Sequence, residues 1–208
     1  KINDLRDYLV DKSVWIVGGD GWAYDIGFGG LDHVLAQGKN VNVLVLDNEQ
    51  YANTGGQASK STPRGATAKF AMAGKGQPKK NLGLMMSTYG NIYVAQVSMG
   101  ANKQQLIQAL VEAEEYPGPS IVIAYATCIN HGTDMSHTMD EGLLAMKSGY
   151  LQLYRYDPRR AEKGENPMII DSTEPTAEFK KYILNETRYK SLTITHPENT
   201  DRLFSLAE

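Results

Sequence analysis

The residues of this sequence best suited to chemistry are Gly18-Gly19-Asp20-Gly21, where one apolar run ends, and Asp47-Asn48, where a second one ends. Glycines let the backbone approach a ligand closely, and the start of a following helix offers unpaired N–H groups and a positive dipole end to a phosphate. Asp20 suits a hard cation. Magnesium takes oxygen ligands in a near-octahedral shell and usually binds substrate phosphates with only one or two carboxylates. Asp20, the Asn48 amide oxygen and the Gln50 carbonyl are therefore a sufficient protein share beside a diphosphate. The stretch Tyr51-Ala52-Asn53-Thr54-Gly55-Gly56-Gln57 continues directly from this second half.

The elements that must position these residues are legible as alternating patterns. Ser13–Val17 is an apolar run ending at glycines and Val41–Leu46 is rich in β-branched residues, the pattern of buried parallel strands. Between them Ala23, Ile26, Gly30, Leu31, Val34 and Leu35 share one face of a helix expected over 22–37, which Gly38 ends in a left-handed cap. Further helices are expected at 81–89, 102–116 and 138–148, and strands at 92–97, 120–126 and 151–156. This alternation predicts an α/β fold with a parallel sheet, helices on both faces and right-handed crossovers, with ligands at the carboxyl edge of the strands. A short lead-in helix is expected within 1–11. The polar, glycine-rich segment 49–80 carries little structure beyond a short helix near 66–73, and its length and its start at the ion site favour a functional loop. After a charged stretch at 157–166, helices are expected at 175–187, with Phe179, Tyr182 and Ile183 inward, and at 197–207. No chemistry is assigned to them.

Competing motifs are weaker. The Rossmann spacing of glycines is absent at the first strand-to-helix turn, and Gly56 to Ser61 departs from a P-loop because Ser59 stands where a glycine must precede the lysine. Lys75, Lys79 and Lys80 form a small basic cluster, read either as a solvated face or as a docking point for an acidic electron carrier. His131 and His137 offer no complete metal shell and are read as exposed loop residues. Cys128, taken alone, is an inert buried thiol.

From Gly18 to about Tyr156 the chain resembles the thiamine diphosphate domain of single-chain pyruvate:ferredoxin (flavodoxin) oxidoreductases. The residues that carry this are GGDGWAYDIG at 18–27, GGLDHVLA at 29–36, NTGGQ at 53–57 with SK at 59–60, VSMG at 97–100 and IAYATCIN at 123–130. The resemblance implies a thiamine-diphosphate-binding α/β fold at 1–156, its mostly parallel sheet flanked by helices, and an irregular and helical tail at 157–208 packing on the parent protein. It assigns thiamine diphosphate to Gly19, Asp20, Gly21, Trp22, Asn48, Gln50, Asn53 and Thr54, and magnesium to Asp20, Asn48 and the Gln50 carbonyl. Asn53 reaches toward the reacting centre. Cys128, in the Ala-Thr-Cys-Ile-Asn context of that family, ligates a 4Fe-4S cluster whose other ligands lie outside this chain. The family can carry Thr at the position of Asn48, so the side-chain ligand varies in type.

The implied parent cleaves pyruvate with coenzyme A to acetyl-CoA and CO2, sending electrons through 4Fe-4S clusters to ferredoxin or flavodoxin. It is expected as a homodimer in the cytoplasm, or in an organelle of an anaerobic eukaryote. The glutamate that activates the aminopyrimidine comes in thiamine enzymes from a separate domain, for which this chain has no room. Two alternatives stand beside this reading: a non-redox thiamine decarboxylase or synthase, which needs no cysteine at 128, and a non-catalytic cofactor-binding module.

Composition bounds these readings. The 208 residues suffice for a sizeable core, and a net charge of −3 with 22% charged residues gives no nucleic-acid footprint. The longest apolar runs fall well short of the roughly 20 residues that span a bilayer. One cysteine excludes an internal disulfide and fits a reducing compartment. Lys1 in place of Met suggests a piece of a longer polypeptide.

Overall fold

The computed structural model describes residues 3–8 and 12–208. Its strands are β1 (Trp15–Gly19), β2 (Asn42–Asp47), the short ribbon β3 (Gln50–Tyr51) and β4 (Gln57–Ala58), β5 (Tyr93–Val97), β6 (Ser120–Tyr125), β7 (Tyr154–Tyr156) and β8 (Met168–Ile170). The main sheet runs β1-β2-β6-β5-β7-β8. The first four of these are mutually parallel, whereas β7 and β8 add on antiparallel. The expected strands at 13–17, 41–46, 92–97, 120–126 and 151–156 are all present with shifted ends. β8, within the tail, was not foreseen: three residues are too short to show a period.

Helices cover both faces because the parallel strands are apolar on both. Leu31 and Leu35 of α1 (Phe28–Ala36) and Leu82 and Met86 of α2 (Leu82–Ser87) pack on Val43, Val45, Val94, Ile121 and Ile123. On the opposite face, Ala109 and Ala113 of α3 (Lys103–Glu115) close over Ala95, Val97 and Val122. Each large aliphatic side chain buried this way contributes roughly 1.5–3 kcal/mol. Asn102 caps α3 by accepting from the Gln105 N–H at 3.0 Å, and Gly38 ends α1 with φ 66°, the left-handed cap expected there. α3 turns its alanine face to the sheet and leaves Ile107 and Val111 exposed.

Two helical expectations need correction. Instead of one helix over 22–37, a π-helical turn spans Gly21–Ile26 before α1 begins, closed by the Gly27 N–H donating to the Trp22 carbonyl at 2.8 Å. No helix forms at 66–73. Gly65 and Gly74, both left-handed, turn the chain back on itself, and the Gly65 N–H donates to the Lys75 carbonyl at 2.9 Å. At the amino end, residues Asn3–Tyr8 form a 3₁₀ helix; Ile2, Leu9 and Val10 of the expected lead-in helix lie outside the described residues.

Beyond α4 (Thr138–Lys147) and α5 (Pro158–Ala161), the expected helix at 175–187 is shortened to α6 (Phe179–Ile183), an unforeseen α7 (Thr187–Thr195) follows it, and α8 (Pro197–Ser205) takes the place of the helix expected at 197–207. Tyr182, Ile183, Tyr189, Leu192, Leu203 and Phe204 of these helices form a core with Ala66, Tyr125, Leu151 and Leu153. Residues 157–208 thus pack on this chain itself through β8 and α6–α8.

Candidate functional site

The carboxyl ends of β1 and β2 lie side by side, Gly19 paired with Leu46, so the residues that follow each strand meet. Asp20 is buried, and its Oδ2 accepts from Ser59 Oγ at 2.6 Å. One terminal atom of the Asn48 amide lies 2.7 Å from both Asp20 Oδ1 and the Gln50 carbonyl oxygen. Without a cation the NH2 group faces them and donates to both; rotated by half a turn, the amide presents its oxygen instead. That oxygen then stands 2.7 Å from each of the other two, near the spacing of adjacent corners in a magnesium shell, about 2.9 Å for metal–oxygen bonds of about 2.0–2.1 Å. Burial, then the neighbouring Asp47 carboxylate, push the Asp20 carboxyl up to about 7. The Ser59 hydroxyl and the Lys79 charge offset this only in part, and a divalent cation would supply further compensation. Among the described residues no group of three or more His, Cys, Asp or Glu side chains could hold a metal, so a cation here depends on the amide and carbonyl oxygens.

The glycines around this corner make room for rings. A Cβ on Gly18 would lie 2.4 Å from the Trp22 indole and one on Gly27 would lie 2.2 Å from it, so the ring is seated between two bare backbones. A Cβ on Gly21 would strike the Tyr51 ring at 2.3 Å, and the Tyr51 hydroxyl donates to the Gly21 carbonyl at 3.1 Å. Gly19 faces solvent at the strand end. Asn53 and Thr54 are exposed in the turn between β3 and β4, where Thr54 Oγ1 donates to Gln57 Oε1 at 2.7 Å. They are not part of the Asp20 corner. Cys128, buried as a free thiol, follows β6, whose Tyr125 pairs with Asp47 of β2; it therefore belongs to the same edge.

Behind the corner lies a buried charge network that sequence reasoning missed. Asp47 accepts from Tyr24, Ser61, Lys79 and the Glu49 N–H, and is thereby fully engaged. Glu49 pairs with Lys79 at 2.9 Å and with Arg188 of α7 at 2.7 Å, and Arg188 also pairs with Glu186 at 2.6 Å. Burial opposes ionisation of Glu49, but Lys79 and Arg188 outweigh it and lower its carboxyl to about 2. His131 is fully buried, with Nε2 2.8 Å from the Asn48 carbonyl and Nδ1 3.2 Å from Glu186, which corrects its reading as an exposed loop residue. His137 is exposed as expected. The basic cluster also resolves inward: Lys79 joins the network, Lys75 donates to the Ser59 carbonyl, and Lys80 lies over the Phe28 ring. No chemistry was expected of the tail, yet Glu186 and Arg188 come from it. The pairing of Glu49 with Lys79 had a faint signal in the acidic and basic residues flanking one glycine-rich loop; Arg188 had none.

Comparison with known proteins follows the same lines. The family model "Thiamine pyrophosphate enzyme, C-terminal TPP binding domain" matches residues 6–124. The pyruvate:ferredoxin oxidoreductase of Moorella thermoacetica is 57% identical over 207 residues, which cover 100% of this chain and 18% of that protein. The pyruvate-flavodoxin oxidoreductase of Klebsiella pneumoniae is 57% identical over 205 residues, or 98% of this chain and 18% of that protein. Among solved structures, a 2-oxoglutarate:ferredoxin oxidoreductase from Magnetococcus marinus, with 2-oxoglutarate, coenzyme A and succinyl-CoA bound, aligns with a TM-score of 0.58 at 22% identity, over 95% of this chain and 68% of that one. That likeness is one of fold. With the family match spanning β1 to β6 and both halves of the Asp20 corner, the chain belongs to the C-terminal thiamine-diphosphate-binding domains of thiamine diphosphate enzymes.

Proposed function

We propose that this chain is the thiamine-diphosphate-binding portion of a 2-oxo acid oxidoreductase that oxidatively decarboxylates pyruvate with coenzyme A, passing electrons through 4Fe-4S clusters to ferredoxin or flavodoxin. The observation that carries the reading is the convergence of Asp20 Oδ1, the Asn48 amide and the Gln50 carbonyl at the carboxyl edge of the sheet, the oxygen set that magnesium takes beside a diphosphate. Identity of 57% along the chain to two proteins named for pyruvate oxidation supports the substrate.

When bound, thiamine diphosphate supplies the nucleophilic carbon and the electron sink that decarboxylation of a 2-oxo acid requires. The chain's own residues bind and orient. Asp20, Asn48 and the Gln50 carbonyl hold magnesium, Ser59 fixes the Asp20 carboxylate by occupying its other oxygen, and the backbone at Gly19 and Gly21 receives the diphosphate. Trp22, Asn53 and Thr54 complete the cofactor's surroundings, with Asn53 toward the reacting centre. Cys128 ligates one iron of a cluster shared with the rest of a homodimeric parent, which we place in the cytoplasm. No helix of the described residues is long and apolar enough to cross a membrane.

The test is calorimetric titration of thiamine diphosphate into the parent protein at stepped magnesium concentrations. Asp20→Ala is expected to weaken cofactor binding by about 2–4 kcal/mol, the scale of a lost contact to a charged buried group. Affinity that is unchanged in the variant and independent of magnesium would remove the assignment.

A further inference from the structure

Glu49, the residue between Asn48 and Gln50, has a left-handed backbone with φ 64°. A residue with a Cβ adopts this conformation at a penalty, and such residues persist only where their surroundings over-determine them. Here the turn is held from several directions. The Glu49 N–H donates to Asp47 Oδ1 at 3.0 Å, the Glu49 carbonyl accepts from Thr62 Oγ1 at 2.5 Å, and His131 Nε2 lies 2.8 Å from the Asn48 carbonyl. The side chain is anchored as firmly: Glu49 Oε1 receives Lys79 Nζ at 2.9 Å, while Oε2 receives Arg188 Nη2 at 2.7 Å and the Tyr150 hydroxyl at 2.5 Å. All this restraint bears on one residue, and its two neighbours supply the Asn48 amide that meets Asp20 and the Gln50 carbonyl that meets the same amide.

We infer that Glu49 is a positioning residue for the cation corner: the clamp of Lys79 and Arg188 on its carboxylate holds the left-handed turn that aims the Asn48 side chain and the Gln50 carbonyl at Asp20. The inference rests on the magnesium and thiamine diphosphate reading given above. It makes α7, the element that carries Arg188, part of the cation site although none of its residues hydrogen-bonds or pairs with Asp20, Asn48 or Gln50. Lys79 is shared with Asp47 and Arg188 with Glu186, and Arg188 reaches Glu49 from the far side of the fold.

The test separates the backbone role from the charge. Glu49→Ala and Glu49→Gly remove the same carboxylate, but only glycine enters the left-handed region without a Cβ penalty. In the full-length parent, the magnesium concentration that half-saturates thiamine diphosphate binding, read by calorimetry, is expected to rise about tenfold in Glu49→Ala, the factor that a left-handed penalty near 1.4 kcal/mol corresponds to. In Glu49→Gly it is expected to stay close to wild type. Equal losses in the two variants, or none in either, would overturn the inference. Should Glu49→Ala fail to fold, Arg188→Met carries the test in two backgrounds. It is expected to raise the half-saturating magnesium in the native protein and to have no further effect in Glu49→Gly; a further loss there contradicts the role. Asp20→Ala, measured alongside, distinguishes the two levels. If magnesium dependence survives that substitution, the site reading fails; if it is lost while Glu49→Ala behaves like wild type, only the role of Glu49 fails.

Discussion

Cys128 and Glu186 show how differently single buried residues bear on this molecule. Cys128 lies just past β6, at the strand edge that also carries Asp20 and Asn48, so a cluster ligated there stands close to the proposed cofactor. Cys128→Ser in the parent is expected to leave thiamine diphosphate and magnesium bound while weakening or abolishing one 4Fe-4S signal by electron paramagnetic resonance and slowing acceptor reduction. Full cluster signals with an unchanged reduction rate would return Cys128 to a packing role and favour a non-redox thiamine enzyme. Glu186 acts through stability. Burial opposes its charge, but Arg188 and His131 outweigh that and hold its carboxyl below the ordinary value of 4.5. A carboxyl depressed in the native state contributes stability above its ordinary value and loses that contribution as pH falls toward the native one. Glu186→Gln is therefore expected to lower stability near neutral pH, by as much as about 3–5 kcal/mol for a broken buried pair, and to flatten the acid limb of the unfolding curve. An acid limb as steep as that of the wild type would contradict this. Asp20, Asn48 and Gln50 could be grouped from the sequence because metal-ligand chemistry restricts residue type, and the structure brings the Asn48 amide against both Asp20 and the Gln50 carbonyl; Glu186 was not legible, because an acidic residue in a polar stretch carries no mark of burial.

Among the elements, the parallel strands were the easiest to read, since burial on both faces leaves a continuous apolar run such as Val43 to Leu46. Helix contacts were harder. α3 shows an apolar stripe through Ile107 and Val111, yet the sheet receives its smaller residues, which allow closer approach. The π turn at Gly21–Ile26 follows from the seat that Gly18 and Gly27 make for Trp22, a tertiary fit without local periodicity. A comparable fit joins the loop after β5 to α4, where a Cβ on Gly100 would lie 2.5 Å from the Met139 carbonyl oxygen and 3.2 Å from the Cα of Gly142. Backbone meets backbone there, and no side chain can rotate away. Gly100→Ala is expected to destabilise the protein by about 1–3 kcal/mol through overpacking, read as a lowered thermal midpoint. An unchanged midpoint would mean that α4 can shift.

At the scale of the whole molecule, the chain spans 18% of the length of the relatives compared above. Ile26, Leu46 and Ile129, which follow β1, lie at the end of β2 and follow β6, are exposed apolar residues near the carboxyl edge of the sheet. The resemblance to the oxidoreductases places the activating glutamate in another domain, so the chain by itself is expected to show no pyruvate oxidation with a dye acceptor, and to gain activity only when joined with the remaining domains. Steady turnover by the chain alone would show that its site is already complete. Fold class and the meeting of Asp20 with Asn48 were readable because both arise from short stretches. The charge network was not, because its partners are distant in the chain and only the packed tail brings them together.

The link from Arg188 to Glu49 crosses 139 residues. During synthesis that separation becomes time: at about 5–20 residues per second, Arg188 follows Glu49 by roughly 7–28 s. Asp20, Asn48 and Gln50 therefore leave the ribosome well before the residue that clamps the turn between the last two. A nascent chain carries the three residues of the corner long before it carries Arg188, and the proposed clamp is among the last parts of this chain to be made.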